Sequence, residues 1–159
     1  MRAKEREVTN LDQIFEIVRR CSVVHVAMID HGKPYVVALN FGYERKGDML
    51  VLYFHSAYEG RKMDALKENP SVFFEMDCAG ELVRGSRENP CAYSWSYESV
   101  TGSGQVEFVE DPEEKAKALG CLIRHLGNEE GTFEFPQAAL KKTCVYRICS
   151  TDFTGKHHE

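Results

Sequence analysis

The chain of 159 residues has no long hydrophobic run: its longest unbroken apolar stretch, Met49 to Phe54, is six residues. About 18 are needed before a stretch reads as a membrane span, so a soluble chain without a membrane partner is expected. It also lacks an apolar segment at its start. Met1-Arg2-Ala3-Lys4-Glu5-Arg6-Glu7 is charged, unlike a secretory signal, which points to a cytoplasmic, reducing setting. There is no cationic surplus: 20 Lys and Arg against 25 Asp and Glu give a formal net charge of −5, which disfavours nucleic acid as a partner. The six cysteines (Cys21, Cys78, Cys91, Cys121, Cys144, Cys149) include no Cys-x-x-Cys, so most of them read as reduced core thiols rather than a disulfide framework or a metal site. Neither common nucleotide fingerprint occurs. Gly102-Ser103-Gly104 lies inside a strand pattern without a third glycine, so any phosphate must be held in another way.

With 43% apolar residues, what remains describes a single domain over 1–159 with a substantial core. Asn10, followed by Gln13, caps a short helix carrying Ile14, Ile17 and Val18. Val23 to Ile29 and Pro34 to Tyr43 read as a hairpin across Asp30-His31-Gly32-Lys33. Tyr35, Val37, Leu39, Phe41 and Tyr43 fall on one face of its second strand, and Val36, Ala38 and Asn40 on the other. A third strand around Leu50 to His55 makes a meander. Ser56 to Glu59 has the Ser-x-x-Glu form of a capping box and opens a helix that Asn69-Pro70 stops. Val72 to Cys78 is a fourth strand, Gly80 to Pro90 a loop. The long run after it shifts apolar phase near Gly102 and Gly104, which predicts a bulge. Asp111-Pro112-Glu113-Glu114 starts a helix with an apolar stripe of Ala116, Leu119, Leu122, Ile123 and Leu126, and Cys144 to Cys149 is the last strand. Six strands joined mostly by hairpins, with helices at the edges, predict an α+β, mainly β protein: a six-stranded antiparallel split barrel of Greek-key type.

The densest chemistry lies in His55-Ser56-Ala57-Tyr58-Glu59-Gly60-Arg61-Lys62. A strand end, a helix N-terminus and two cations within eight residues suit a phosphate monoester: free amides and the helix dipole favour an anion, Arg61 offers a fork and Lys62 a point charge. The same residues also read as a plain helix cap with solvated cations. His55, at the strand end, is placed to donate a hydrogen bond or proton to a ligand, or to serve as a structural hydrogen-bonder. Tyr93, Trp95 and Tyr97 alternate along a strand, either as ordinary core or as a wall for a planar heteroaromatic ring.

In Lys33-Pro34-Tyr35-Val36-Val37-Ala38-Leu39-Asn40-Phe41-Gly42, Leu52-Tyr53-Phe54-His55-Ser56-Ala57, Glu59-Gly60-Arg61-Lys62, Tyr97-Glu98-Ser99-Val100-Thr101-Gly102-Ser103-Gly104 and Phe133-Glu134-Phe135-Pro136, the chain resembles the FMN-binding split-barrel proteins of the pyridoxamine 5′-phosphate oxidase-like superfamily, and within it the 5-nitroimidazole-resistance branch. That resemblance implies FMN, or FAD, as cofactor. It puts Arg61 and Lys62 on the phosphate with Ser56 and Ala57 beside them, His55 near the flavin, and Val36, Val37, Ala38, Leu39 and Asn40 along the flavin. It further implies a homodimer with flavin sites at the subunit interface, where Trp95, Tyr97 and Ser99 belong to the strand completing the partner's site. The implied activity is a flavin-dependent reduction of small electrophiles such as nitroaromatics, with NAD(P)H as a candidate donor and His55 as catalytic residue; the alternative is a flavin-binding module for storage or sensing. Pyridoxamine phosphate oxidases themselves end in a Trp-rich segment with Arg-x-His. This chain ends Thr154-Gly155-Lys156-His157-His158-Glu159 and has a single tryptophan, which disfavours vitamin B6 oxidation.

Overall fold

A computed structural model describes residues 4–158; Met1, Arg2, Ala3 and Glu159, which end the expected domain and begin the charged N-terminal stretch, lie outside the described residues. After a two-residue strand β1 (Glu7–Val8), Asn10 accepts a bond from the Gln13 N–H at 3.1 Å and so opens helix α1 (Leu11–Arg20), as its sequence predicts. Strands β2 (Val24–Asp30) and β3 (Lys33–Leu39) form the expected hairpin. Its turn residues His31 and Gly32 both have positive φ, 48° and 74°, the backbone a tight hairpin turn with strand-matched twist requires.

The expected meander ends there. The run from Pro34 to Tyr43 is two strands, β3 and β4 (Gly42–Lys46); β4 pairs with β5 (Met49–Ser56) and not with β3. Side-chain alternation continues unbroken through the break, so the pattern alone shows one strand. Gly42 sits so close to helix α3 (Pro112–Gly127) that a Cβ would lie 2.4 Å from Leu122 N and 2.5 Å from the Cys121 carbonyl carbon. With Phe41 fully buried beside it, this contact pins the chain onto a different path.

The remaining elements are α2 (Arg61–Glu68), β6 (Ser71–Val83), β7 (Ser94–Val109), α4 (Gln137–Lys142) and β8 (Cys144–His158). All pairings are antiparallel, in the order β3-β2-β6-β7-β8-β5-β4, with β1 on β8. The last strand returns between β7 and β5, which gives the Greek-key connection. The fold is the predicted antiparallel split barrel, but among the described residues its sheet has eight strands rather than six, because the second run divides and β1 is added. Only Asn40 and Phe41 separate β3 from β4, the two ends of this order; three Cα steps keep Leu39 and Gly42 within about 11 Å. The sheet therefore curls until its edges approach, yet they do not pair.

Inside the curl, Val24, Val26, Leu50, Leu52, Phe54, Phe74, Met76, Tyr146 and Ile148 pack with Ile14, Ile17 and Val18 of α1. Each fully buried aliphatic side chain there contributes about 1.5–3 kcal/mol. A second core lies outside the curl, where α3 covers Val51, Tyr53, Val109 and Val145. Asp111 accepts from the N–H groups of Glu113 and Glu114, at 3.0 and 2.9 Å, and caps α3 as predicted. The buried face of that helix, however, is Lys115, Ala118, Cys121 and Leu122, and Leu126 is exposed. Lys115 is tolerated because its ammonium donates to Tyr58 Oη (2.8 Å), Thr143 O (3.1 Å) and Leu140 O (3.3 Å). The predicted bulge is present as a register shift between Ser103 and Gln105 of β7. Strands β6 and β8 run well past their expected ends at Cys78 and Cys149 and, with the start of β7, form an arm beyond the barrel.

Candidate functional site

Helix α2 enters where the sheet is split. Ser56 is the last residue of β5, opposite Cys144, so it does not cap the helix. The cap position belongs to Gly60, at φ +123°, and among the described residues no side chain bonds the first-turn amides. The Ser-x-x-Glu pattern is therefore not a capping box here, because the strand keeps Ser56 and the chain uses Ala57 to Gly60 to turn. The N–H groups of the first turn remain available to an anion.

Two consecutive residues then reach opposite sides of the split. Arg61 donates from Nε to Asp30 Oδ2 at 2.7 Å and lays its guanidinium 4.3 Å from the Tyr35 ring centroid, tying α2 to the β2–β3 hairpin. Its side chain is 64% exposed while that of Asp30 is 10% exposed, so the other guanidinium N–H groups face outward. Lys62 turns inward, with Nζ 5.7 Å from the ring centroid of Tyr146 on β8, and burial pulls its pKa down. To join Arg61 on an anion it must leave that contact. Among the described residues the Tyr146 hydroxyl beneath it is buried without a hydrogen-bond partner, and burial pushes its pKa up.

His55 is exposed at the end of β5, opposite Val145. Gly42, where β4 begins, pairs with Tyr53, two residues before His55. Strand β3 runs on from Tyr35, under Arg61, to Leu39, about 13 Å at the rise of a strand. Of the five residues expected along a ligand there, Val36, Ala38 and Asn40 face outward, Val36 at 55% exposure; Val37 and Leu39 pack against the core and offer only backbone. Asn40 already donates to Ser22 O at 2.8 Å. As an edge strand, β3 leaves one row of N–H and C=O groups unpaired. Ala57 is exposed in the link to α2.

Trp95, Tyr97 and Ser99 stand apart from this group, on the arm. Among the described residues no hydrogen bond, ion pair or ring contact joins them to His55, Arg61 or Lys62. Trp95 and Tyr93 are about half exposed, which removes the ordinary-core reading for both. Tyr97 has the Lys156 ammonium 5.0 Å from its ring centroid, and a hydrogen bond from Lys156 lowers its hydroxyl pKa. Ser99 lies between Asp77 and Lys156 on the neighbouring strands. A cavity of about 470 Å³ opens on the arm, lined by Leu82, Ser96, Tyr97 and His158 among others. The outer face of the sheet carries a further apolar row, Val36–Ala27–Phe73, with Phe73 51% exposed and Ile29 beside it at 40%. Asp30 and Tyr35, which set the pose of Arg61, were not marked by the sequence; both sit in a hairpin whose pattern is fully explained by turn and strand.

The sequence profile of the pyridoxamine 5′-phosphate oxidase family matches residues 10–157. Among solved structures, the chain is similar to a candidate 5-nitroimidazole antibiotic resistance protein from Bacteroides thetaiotaomicron, at 34% identity and a TM-score of 0.80, over 95% of this chain and 86% of that one. It shares its fold with a flavocytochrome from Azotobacter vinelandii (21% identity, TM-score 0.77, covering 100% of this chain and 72% of that one). It also shares it with an FAD and heme binding protein from Mycobacterium smegmatis (20%, 0.75, 97% and 74%). No curated protein matches it. Among the described residues no helix is long and apolar enough to cross a membrane.

Proposed function

The chain belongs to the pyridoxamine 5′-phosphate oxidase family, in the branch of the 5-nitroimidazole resistance protein, and on that premise we propose that it is a flavoprotein that holds FMN and reduces small electrophiles such as nitroaromatics. The observation that carries the proposal is the α2 N-terminus: uncapped amides with Arg61 partly free beside them, set at one end of an unpaired strand edge. These residues fit the cofactor. Arg61 and the α2 amides would hold the phosphate, and the outer face and free edge of β3 would lie along the ring system, as they would for FAD. Bound flavin supplies the electron transfer, accepting reducing equivalents from a donor such as NAD(P)H.

The protein's own part is binding, orientation and one proton. His55 is exposed, two residues past the Tyr53 that pairs with Gly42, and able to give a proton to a reduced substrate there. The apolar row Val36–Ala27–Phe73 and the half-exposed Trp95 favour a second copy of the chain as partner, since both features are left to water in one copy. In such a homodimer Trp95, Tyr97 and Ser99 of one arm complete the other copy's site, which accounts for their distance from Arg61 within a chain.

The absorbance spectrum of the purified protein tests the cofactor. A colourless protein that gains no thermal stability with added FMN or FAD refutes flavin binding. Anaerobic mixing with NADH or NADPH tests turnover: flavin bleaching, reversed by a nitroimidazole, supports the reductase. No bleaching with either donor supports the second reading, a storage or sensing module, which the absence of any hydrogen bond orienting His55 among the described residues favours. In the reductase, His55→Ala keeps FMN affinity and slows turnover by about 100-fold or more, the usual scale of a positioned proton donor.

A further inference from the structure

Two cysteines that the sequence separates by 57 positions meet where α1 ends. Cys21 closes that helix, its N–H donating to Ile17 O and Val18 O, and its extended backbone leads the chain away. Cys78 lies on β6. Their sulfurs are 3.2 Å apart and unbonded, and no other two cysteines make sulfur contact among the described residues. The two thiols differ in access. Cys21 is 2% exposed, whereas Cys78 is half-buried and lines the cavity on the arm.

We propose that Cys21 and Cys78 are a modification site: a dithiol that closes to an intramolecular disulfide by exchange with a low-molecular-weight disulfide of the glutathione type. Cys78 reacts first because it is reachable from the cavity, whereas Cys21 is buried. Its thiolate attacks one sulfur of the incoming disulfide; that S–S bond breaks and one thiolate leaves. Cys21 then loses its proton to the released thiolate and attacks the Cys78 sulfur, expelling the second thiolate. The protein gives up two electrons and forms one S–S bond, and the small disulfide is reduced to two thiols. Burial and the neighbouring Cys78 push the Cys21 pKa up, so it is the resolving thiol and not the entry point.

A disulfide sulfur pair stands about 2.0 Å apart, so closure needs an approach of little over ~1 Å. Cys21 can supply it, since its backbone has already left the helix. The closed bond fastens the end of α1 to β6 just before the strand becomes the arm, and so links the thiol state to the segment carrying Tyr97 and Glu98 opposite it.

The test uses the full chain as Cys91→Ser, which removes the exposed thiol, incubated with glutathione disulfide, quenched with an alkylating agent, and read by intact mass and non-reducing peptide mapping. The expected product has lost two hydrogens and two free thiols, shows one cross-linked peptide pair joining Cys21 and Cys78, and returns to the starting mass with dithiothreitol. Adding Cys21→Ser traps a glutathione adduct on Cys78; adding Cys78→Ser leaves Cys21 unmodified. If the buried Cys21→Ser fails to fold, the half-buried Cys78→Ser and the wild-type map still decide. No loss of thiols, an adduct on Cys78 that never resolves, or a cross-link through a different cysteine overturns the proposal.

Discussion

Arg61→Ala removes a side chain with two jobs, and the structure allows them to be separated. The guanidinium braces Asp30, whose side chain is only 10% exposed, and presents its remaining N–H groups to the α2 N-terminus. Losing a charge-assisted bond to a phosphate costs about 1.5–3 kcal/mol, so FMN affinity should fall roughly 10- to 150-fold. Stability falls as well. Stripping the partner from a fully buried ion pair costs about 3–5 kcal/mol, but Arg61 is 64% exposed and water can replace it, which brings the expectation to about 1–2 kcal/mol.

Asp30→Asn separates the two effects. It leaves Arg61 unshared, so FMN should bind several-fold more tightly, on the scale of about 1 kcal/mol for one partly screened charge at this range. The double variant Asp30→Asn/Arg61→Ala should regain the stability lost in Arg61→Ala while staying weak for FMN. Flavin fluorescence titration reads the affinity and urea denaturation reads the stability. Wild-type FMN affinity in both Arg61→Ala and the double variant would refute the anchor and leave Arg61 as a brace alone.

Gly42→Ala should cost about 3 kcal/mol or more in urea denaturation, because its new Cβ meets the backbone of α3, which cannot step aside; a loss below ~1 kcal/mol would place the break between β3 and β4 elsewhere. Phe73→Asp and Val36→Asp alter exposed positions and should leave stability within about 0.5 kcal/mol while converting a dimer to a monomer in sedimentation; an unchanged sedimentation coefficient would move the interface off this face. Alkali should destabilise the fold. Burial pushes Cys21, Cys144, Cys149, Tyr53 and Tyr146 up, so the folded chain keeps protons that the unfolded chain releases from about pH 8.5 for thiols and about 10 for phenols. Where the folded state binds more protons, stability falls with rising pH, by at most ~1.4 kcal/mol per pH unit for each group. Tyr43, also pushed up by burial, adds to this, while Lys62 and Tyr97, pulled down, work against it as two groups against six, and urea midpoints that stay flat from about pH 7 to 10 would refute the balance.

The features legible in the sequence are those that neighbours along the chain decide. Asn10 and Asp111 cap their helices because the bonded amides lie two or three residues away. The bulge in β7 is written in the phase of its own residues. The break at Asn40–Phe41 is set instead by α3, some eighty positions later, and the alternating pattern runs through it unchanged. Trp95 reads as core because an aromatic on a strand usually is; only the extension of β6 and β8 into an arm shows that this part of the sheet has no cover in one chain. The same reasoning explains α3. Lys115 cannot be recognised as buried before Tyr58, Leu140 and Thr143 are known to supply its acceptors, so the stripe was expected one position too far round the helix.

At the candidate site the sequence marked Arg61 and Lys62 but not the directions in which they point. Arg61 and Lys62 are adjacent, and two adjacent cations suggest one shared anion. Successive helical residues point about 100° apart, however, and here that angle sends one cation to each side of the split. Arg61 ties α2 to the hairpin, and Lys62, over an unpartnered phenol, ties it to β8. A helix positioned this way holds the two unpaired edges at a fixed separation while leaving its own N-terminus uncovered. The barrel's split and the proposed anion site are therefore one feature: pairing β3 with β4 along its length would cover the free strand edge on which the proposed flavin lies and leave α2 no gap to bridge.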